Sequence, residues 1–146
     1  MSALAKKTIL LVEDNADHVL LIRRAFRKAG VDCNLQVAGH GDEAVHYLEG
    51  THGYDDRRSF PLPHLVLLDL KLPRRSGFDV LAWIRRSPEH EHLPVVVLTT
   101  SDQPDDILRA RQLHANSYIV KPVDAEKARS MASSVGQFWL NHHRSQ

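Results

Sequence analysis

The sequence predicts an α/β domain in which five strands alternate with five helices, (βα)5, doubly wound on one five-stranded parallel sheet. Two observations carry this. Short apolar runs rich in Val, Ile and Leu recur at regular spacing, and three of them are almost continuously apolar, as strands covered on both faces must be. Between them lie segments whose apolar residues fall at helical spacing. Alternation of the two patterns implies a parallel sheet with right-handed crossovers.

The strands are expected at Thr8–Val12, Asn34–Ala38, Leu65–Asp69, Pro94–Leu98 and Ser117–Val120. The first helix runs from about Ala16 to Ala29, with Val19, Leu20, Ile22, Ala25, Phe26 and Ala29 at helical spacing and Gly30 as its stop. Asp42–Leu48 is the second. Gly77–Arg86 is the third, ended by Ser87-Pro88. Pro104–Leu113 is the fourth, with Asp102 as candidate cap, and Asp124 opens a fifth that extends to about residues 140–141. The segment at about 51–63 (HGYDDRRSFPLP at its heart) is polar and proline-tipped, and reads as a long surface loop.

Residues 1–146 are read as one domain, and no linker or further domain is expected. The formal net charge of +1 gives no global field for nucleic acid. A single cysteine, Cys33, excludes an internal disulfide framework and suits a reduced, cytoplasmic setting. The apolar run near the N-terminus is cut by Glu13 and Asp14, and nothing approaches the roughly 20 apolar residues of a membrane span.

Ligands in such folds sit beyond the carboxyl ends of the strands. The residues there are Glu13-Asp14 after the first strand, Asp69 at the end of the third, Thr99-Thr100 after the fourth and Lys121-Pro122 after the fifth. Taken singly, each has an ordinary reading: a cap, a turn, a loop. Taken together they place three carboxylates, hydroxyls and a lysine at one sheet edge. Clustered carboxylates call for a hard divalent cation, and oxygen donors suit Mg²⁺ or Mn²⁺. A carboxylate can also act as a nucleophile toward phosphorus, and phosphoryl transfer asks mainly for positioning and for cations facing the charged oxygens.

These residues match a known pattern. LVED (Leu11–Asp14), LLDLKLP (Leu67–Pro73) followed by Gly77, PVVVLTT (Pro94–Thr100) and SYIVKP (Ser117–Pro122) resemble the receiver domain of two-component response regulators, over essentially the whole chain. That resemblance implies a CheY-like, flavodoxin-like sheet in the order 2-1-3-4-5. It makes Asp69 the phosphoacceptor for a histidine kinase. Glu13, Asp14, Asp69 and the backbone carbonyl of Lys71 become the metal-binding set, for Mg²⁺ or alternatively Mn²⁺. Thr99 and Thr100 face the phosphoryl group, Tyr118 is the switch aromatic, Lys121 the phosphoryl-binding lysine, and the Lys121–Pro122 bond is expected to be cis. Ser76, Thr100 and Lys71 depart from residues frequent in the family, which bears on the lifetime of the phosphoryl group. More narrowly, the long loop, TTS after the fourth strand, ANSYIVKP and the terminal FWL resemble small regulators that partner bacterial phytochrome histidine kinases and tend to be dimers.

Other readings fit the residues less well. A phosphohydrolase with a nucleophilic Asp typically carries a second Asp two residues on, where this chain has Lys71. A receiver that is never phosphorylated sits poorly with the full set Glu13, Asp14, Asp69, Thr99 and Lys121. Ten histidines invite a metal site, but His90 with His92, and His142 with His143, do not share one helical face. Arg23, Arg24, Arg27 and Lys28 form either a solvated face or a kinase-docking face. Phe138, Trp139 and Leu140 either fold back or meet a second copy; the second is favoured, and the three are expected to contribute to a dimer interface. A homodimer through the fourth helix, fifth strand and fifth helix is expected, and neither nucleic acid nor membrane is expected as a partner.

Overall fold

The computed structural model describes residues 6–141. The elements alternate as β1 (Lys7–Val12), α1 (Ala16–Lys28), β2 (Cys33–Ala38), α2 (Gly41–Glu49), β3 (Leu65–Leu68), α3 (Gly77–Arg86), β4 (Val95–Thr99), α4 (Pro104–Gln112), β5 (Ser117–Val120) and α5 (Ala125–Val135), the last prolonged by a π-helical segment Gly136–Asn141. All strand pairs are parallel, in the order β2-β1-β3-β4-β5.

The period-two geometry of a strand sorts its side chains between two layers. Ile9, Leu11, Leu65, Leu67, Val96 and Leu98 point into the layer covered by α1 and α5, where they meet Ile22, Phe26, Ala128 and Met131. Leu10, Val12, Val66, Leu68 and Val95 point the other way, onto Ala44, Leu48, Val80, Leu81 and Ile84 of α2 and α3. Both sets are buried, which is why these runs carry no polar alternation. Each such aliphatic side chain contributes about 1.5–3 kcal/mol by leaving water.

Local signals set the helix starts. Asn15 Oδ1 accepts from the amides of Asp17 and His18, Ser76 caps α3 through the amide of Asp79, and Asp124 caps α5 through the amide of Lys127. At α2 the cap is His40, whose Nδ1 accepts from the amide of Glu43, while Glu43 Oε1 accepts from the amide of Gly39. This is a variant of the capping box, with an imidazole in place of a hydroxyl and the return bond made to the residue before the cap.

Two expectations are corrected, and a third, the surface loop, is kept and refined. The N-cap position of α4 is Gln103 without a side-chain cap, not Asp102. The loop is instead tied by Ser101, whose Oγ donates to Asp106 Oδ2 at 2.6 Å and accepts from the amide of Gln103. The loop at 51–63 is not simply a polar surface excursion. Tyr54 packs tilted and Phe60 edge-on against Tyr47 of α2, and Arg57 donates to the carbonyls of Tyr47, Leu48 and Phe60. Arg57 thereby supplies donors to the last turn of α2, where the Tyr47 carbonyl also accepts from the amide of Gly50. The second correction concerns the tail. Leu140 is buried in the α1/α5 layer and Trp139 packs against it, leaving Phe138 exposed. The wider turn of a π segment, with i→i+5 spacing, brings Leu140 over Val135 and so back onto the core.

Candidate functional site

The site forms where β1, β3, β4 and β5 end. Backbone bonds carry the ladders one step past the strands: the amide of Glu13 donates to the carbonyl of Ala38, that of Asp69 to Val12, and that of Lys121 to Thr99. Sheet register therefore fixes the backbone of Glu13, Asp69 and Lys121 before any side chain acts.

The side chains converge as the sequence implied. Ligand oxygens of Glu13, Asp14 and Asp69 lie within 4.8 Å of one another, the one group of this kind among the described residues. Glu13 and Asp69 are buried and Asp14 is exposed, so the cluster opens to solvent on the Asp14 side. Lys121 Nζ lies 2.5 Å from Glu13 Oε1 and 3.0 Å from Asp69 Oδ2. Asp69 Oδ1 accepts from the amide of Lys71 at 3.3 Å. Three carboxylates against one ammonium leave an excess of negative charge. An all-oxygen donor set with that excess fits a hard divalent cation, Mg²⁺ or Mn²⁺.

Thr99 is fully buried at the end of β4, its Oγ1 accepting from the amide of Ser101. Thr100, next along, is exposed. Tyr118 on β5 donates its hydroxyl to the carbonyl of Ser101 at 2.8 Å and packs on Leu70, Val97 and Ala110. Burial, offset in part by the bond to Ser101, holds its phenol above the ordinary range.

The Lys121–Pro122 bond is trans, since no cis peptide occurs among the described residues; the cis expectation is corrected. Trans is the lower-energy form by about 0.5–1 kcal/mol before proline, and with it Lys121 already reaches both buried carboxylates. Of the histidines, His90 lies against Trp83, neither it nor His92 belongs to a metal-type cluster among the described residues, and His142 and His143 fall outside those residues.

Two participants escaped the sequence reading. His18, in the first turn of α1, places Nδ1 3.1 Å from Lys121 Nζ and 3.8 Å from Glu13 Oε2. Its only signal was its position four residues beyond Asp14, one helical turn into α1. Ser101 links Thr99, Tyr118 and α4 through its backbone and its hydroxyl, and its neighbourhood could not be read before the loop was known.

Comparison with known proteins gives the same reading. The profile described as the response regulator receiver domain matches residues 9–133. The probable methanogenesis regulatory protein FilR2 of Methanothrix harundinacea is 43% identical over 94% of this chain and 86% of its own length. Response regulator Rcp1 of Synechocystis is 36% identical over 92% of this chain and 89% of its own. Its Mn²⁺-bound form superposes with a TM-score of 0.82, covering 92% of this chain and 94% of that one. The phosphorylated cyanobacterial phytochrome response regulator RcpA superposes at 0.86, with 37% identity, covering 94% of this chain and 96% of that one. No helix among the described residues is long and apolar enough to cross a membrane. With the sheet order, the acidic cluster and the lysine in place, the chain belongs to the response regulator receiver domain family and serves as a phosphoacceptor in two-component signalling.

Proposed function

We propose that Asp69 is the phosphoacceptor and that the donor is a phosphohistidine on a kinase of the bacterial phytochrome type. The observation that carries the assignment is the Lys121–Asp69 contact at 3.0 Å inside the acidic cluster. Asp69 is the carboxylate that lies among Glu13, Asp14 and Lys121, and its oxygens are held by Lys121 and the Lys71 amide. In the transfer a carboxylate oxygen of Asp69 forms the new bond to phosphorus as the nitrogen–phosphorus bond of phosphohistidine breaks. The imidazole leaves with the electron pair. Lys121 faces the phosphoryl oxygens, and Thr99 supplies the hydroxyl that marks the phosphorylated state.

Glu13, Asp14, Asp69 and the Lys71 carbonyl would hold Mg²⁺ or Mn²⁺. When bound, a divalent cation held there would offset charge on the phosphoryl oxygens. The same residues promote phosphorylation from small donors and, in time, loss of the phosphoryl group. The kinase type is supported by the likeness to RcpA, a cyanobacterial phytochrome response regulator, and to the bacteriophytochrome response regulator AtBRR.

The output is a change of surface, with a homodimer through α4, β5 and α5. Support for that face comes from exposed apolar side chains: Leu108 on α4, Val120 at the end of β5, Val123 beyond it, and Phe138 after α5. The first test is phosphotransfer. Kinases autophosphorylated with labelled ATP, phytochrome-linked kinases among them, are mixed with this protein and Mg²⁺. Rapid passage of label from a phytochrome-linked kinase supports the reading. Transfer only from kinases of other types would remove the phytochrome link.

A further inference from the structure

The ammonium of Lys121 has three hydrogens and three acceptors around it: Glu13 Oε1, Asp69 Oδ2 and His18 Nδ1. A lysine ammonium donates three hydrogen bonds and accepts none. The third contact therefore requires that His18 Nδ1 carry a lone pair, with the ring proton on Nε2. The backbone that carries the ring is fixed by its surroundings. The amide of His18 donates to Asn15 Oδ1, and the amide of Asn15 donates to Glu13 Oε2. The α1 cap, the carboxylate and the imidazole are thus one connected unit. The side chain of His18 is 36% exposed while that of Lys121 is 5% exposed, so the imidazole lies nearer the surface than the ammonium it contacts.

We infer that His18 is a positioning residue for Lys121: its Nδ1 fills the third donor direction of the ammonium and aims the other two at Glu13 and Asp69. A carboxylate in this place would add charge and compete with Asp69 for the lysine. A side chain without an acceptor would leave one N–H of a buried ammonium unpaired and its rotation unset. The imidazole lone pair is also the weakest of the three acceptors, because each carboxylate adds an opposite charge to its bond with the ammonium. The lysine can therefore redirect this one donor to a phosphoryl oxygen while keeping its hold on a carboxylate.

The kinetic part of this inference rests on Asp69 as phosphoacceptor; the structural part does not, and the test separates them. In the full chain, unphosphorylated and without added metal, two-bond ¹H–¹⁵N spectra report the tautomer of His18. The expected result is an unprotonated Nδ1 whose resonance shifts in Lys121→Met. A proton on Nδ1, or no response to Lys121→Met, overturns the inference. Three proteins are then compared for labelling by acetyl phosphate with Mg²⁺. His18→Phe keeps a ring but has no acceptor, and His18→Asn places an oxygen acceptor on the same Cγ. Labelling should slow about three- to tenfold in His18→Phe, as loss of one such bond implies. It should recover in His18→Asn, with Mn²⁺ affinity alike in all three. Equal rates in wild type and His18→Phe, or no recovery in His18→Asn, overturn the positioning role. If the wild type itself takes no label, the phosphoacceptor reading fails and the tautomer experiment alone decides the role of His18.

Discussion

The hydroxyl of Tyr118 on β5 donates to the backbone carbonyl of Ser101, 2.8 Å away in the loop before α4. The same Ser101 donates its own hydroxyl to Asp106 on α4 and its amide to Thr99 Oγ1. Thr99, Ser101, Tyr118 and Asp106 are therefore one hydrogen-bonded group reaching from the end of β4 to α4. A hydroxyl that turns toward a phosphoryl group gives up its place for the Ser101 amide, and the loop must respond. On adding beryllofluoride and Mg²⁺, resonances of Tyr118, Ser101 and Asp106 should shift together, with Tyr118 changing rotamer. Shifts confined to Asp69 and its neighbours would refute the coupling. Tyr118→Phe should cost about 0.5–1.5 kcal/mol, the net worth of one hydrogen bond, read from urea midpoints.

Gly77 sets the shape of the loop that carries Asp69. A Cβ there would lie 2.1 Å from the carbonyl oxygen of Asp69 and 2.6 Å from Leu70 Cα, both backbone atoms. Gly77→Ala should cost about 1–3 kcal/mol as overpacking and slow acetyl-phosphate labelling, because the Asp69 backbone must move. Gly39→Ala is the control: its Cβ meets only the end of the Glu43 side chain, at 3.4 Å. Equal stability and labelling in the two variants would contradict the packing argument.

Tyr47 and Tyr54 hold the long loop on α2 as neutral phenols. Burial leads in both cases; in Tyr54 the hydrogen bond to Glu43 adds to it, and each phenol is pushed up to about 12. A raised folded-state value gives stability that is fully present below the ordinary tyrosine range near 10 and lost as pH climbs from there toward 12. Urea midpoints should fall over that interval, and Tyr54→Phe should flatten part of the fall. An identical alkaline slope in wild type and Tyr54→Phe would contradict it.

Phe138 and Leu140, two residues apart, should separate association from folding. Leu140 is 2% exposed inside the α1/α5 layer, and Leu140→Ala should cost about 2–5 kcal/mol of stability. Phe138 is 59% exposed, and Phe138→Ala should weaken self-association while leaving the urea midpoint nearly unchanged. Sedimentation together with unfolding checks both. A monomer at all concentrations, with or without beryllofluoride, would remove the dimer.

The physics that made the fold legible is burial on both faces. Leu65–Leu68 and Val95–Leu98 have no polar alternation, so their runs announced inner parallel strands, and with those strands placed the four strand-end motifs had to share one edge. What stayed hidden depended on partners distant in sequence or on an irregular turn. His18 acquires its role from a lysine 103 residues away. Tyr54 and Phe60 sit in a polar segment whose burial exists only because Tyr47 is there to receive them. The inward turn of Leu140 comes from a π segment, and helical periodicity read at 3.6 residues per turn sends that residue elsewhere.

The central claim is that Asp69 carries the phosphoryl group, and intact mass measurement tests it most directly. Protein is incubated with acetyl phosphate and Mg²⁺, and its mass is recorded before and after acid or hydroxylamine treatment. Wild type should gain one phosphoryl group, labile to both treatments, with excess chelator preventing the gain. Asp69→Asn should gain nothing. The same labile phosphoryl group retained in Asp69→Asn would contradict the account.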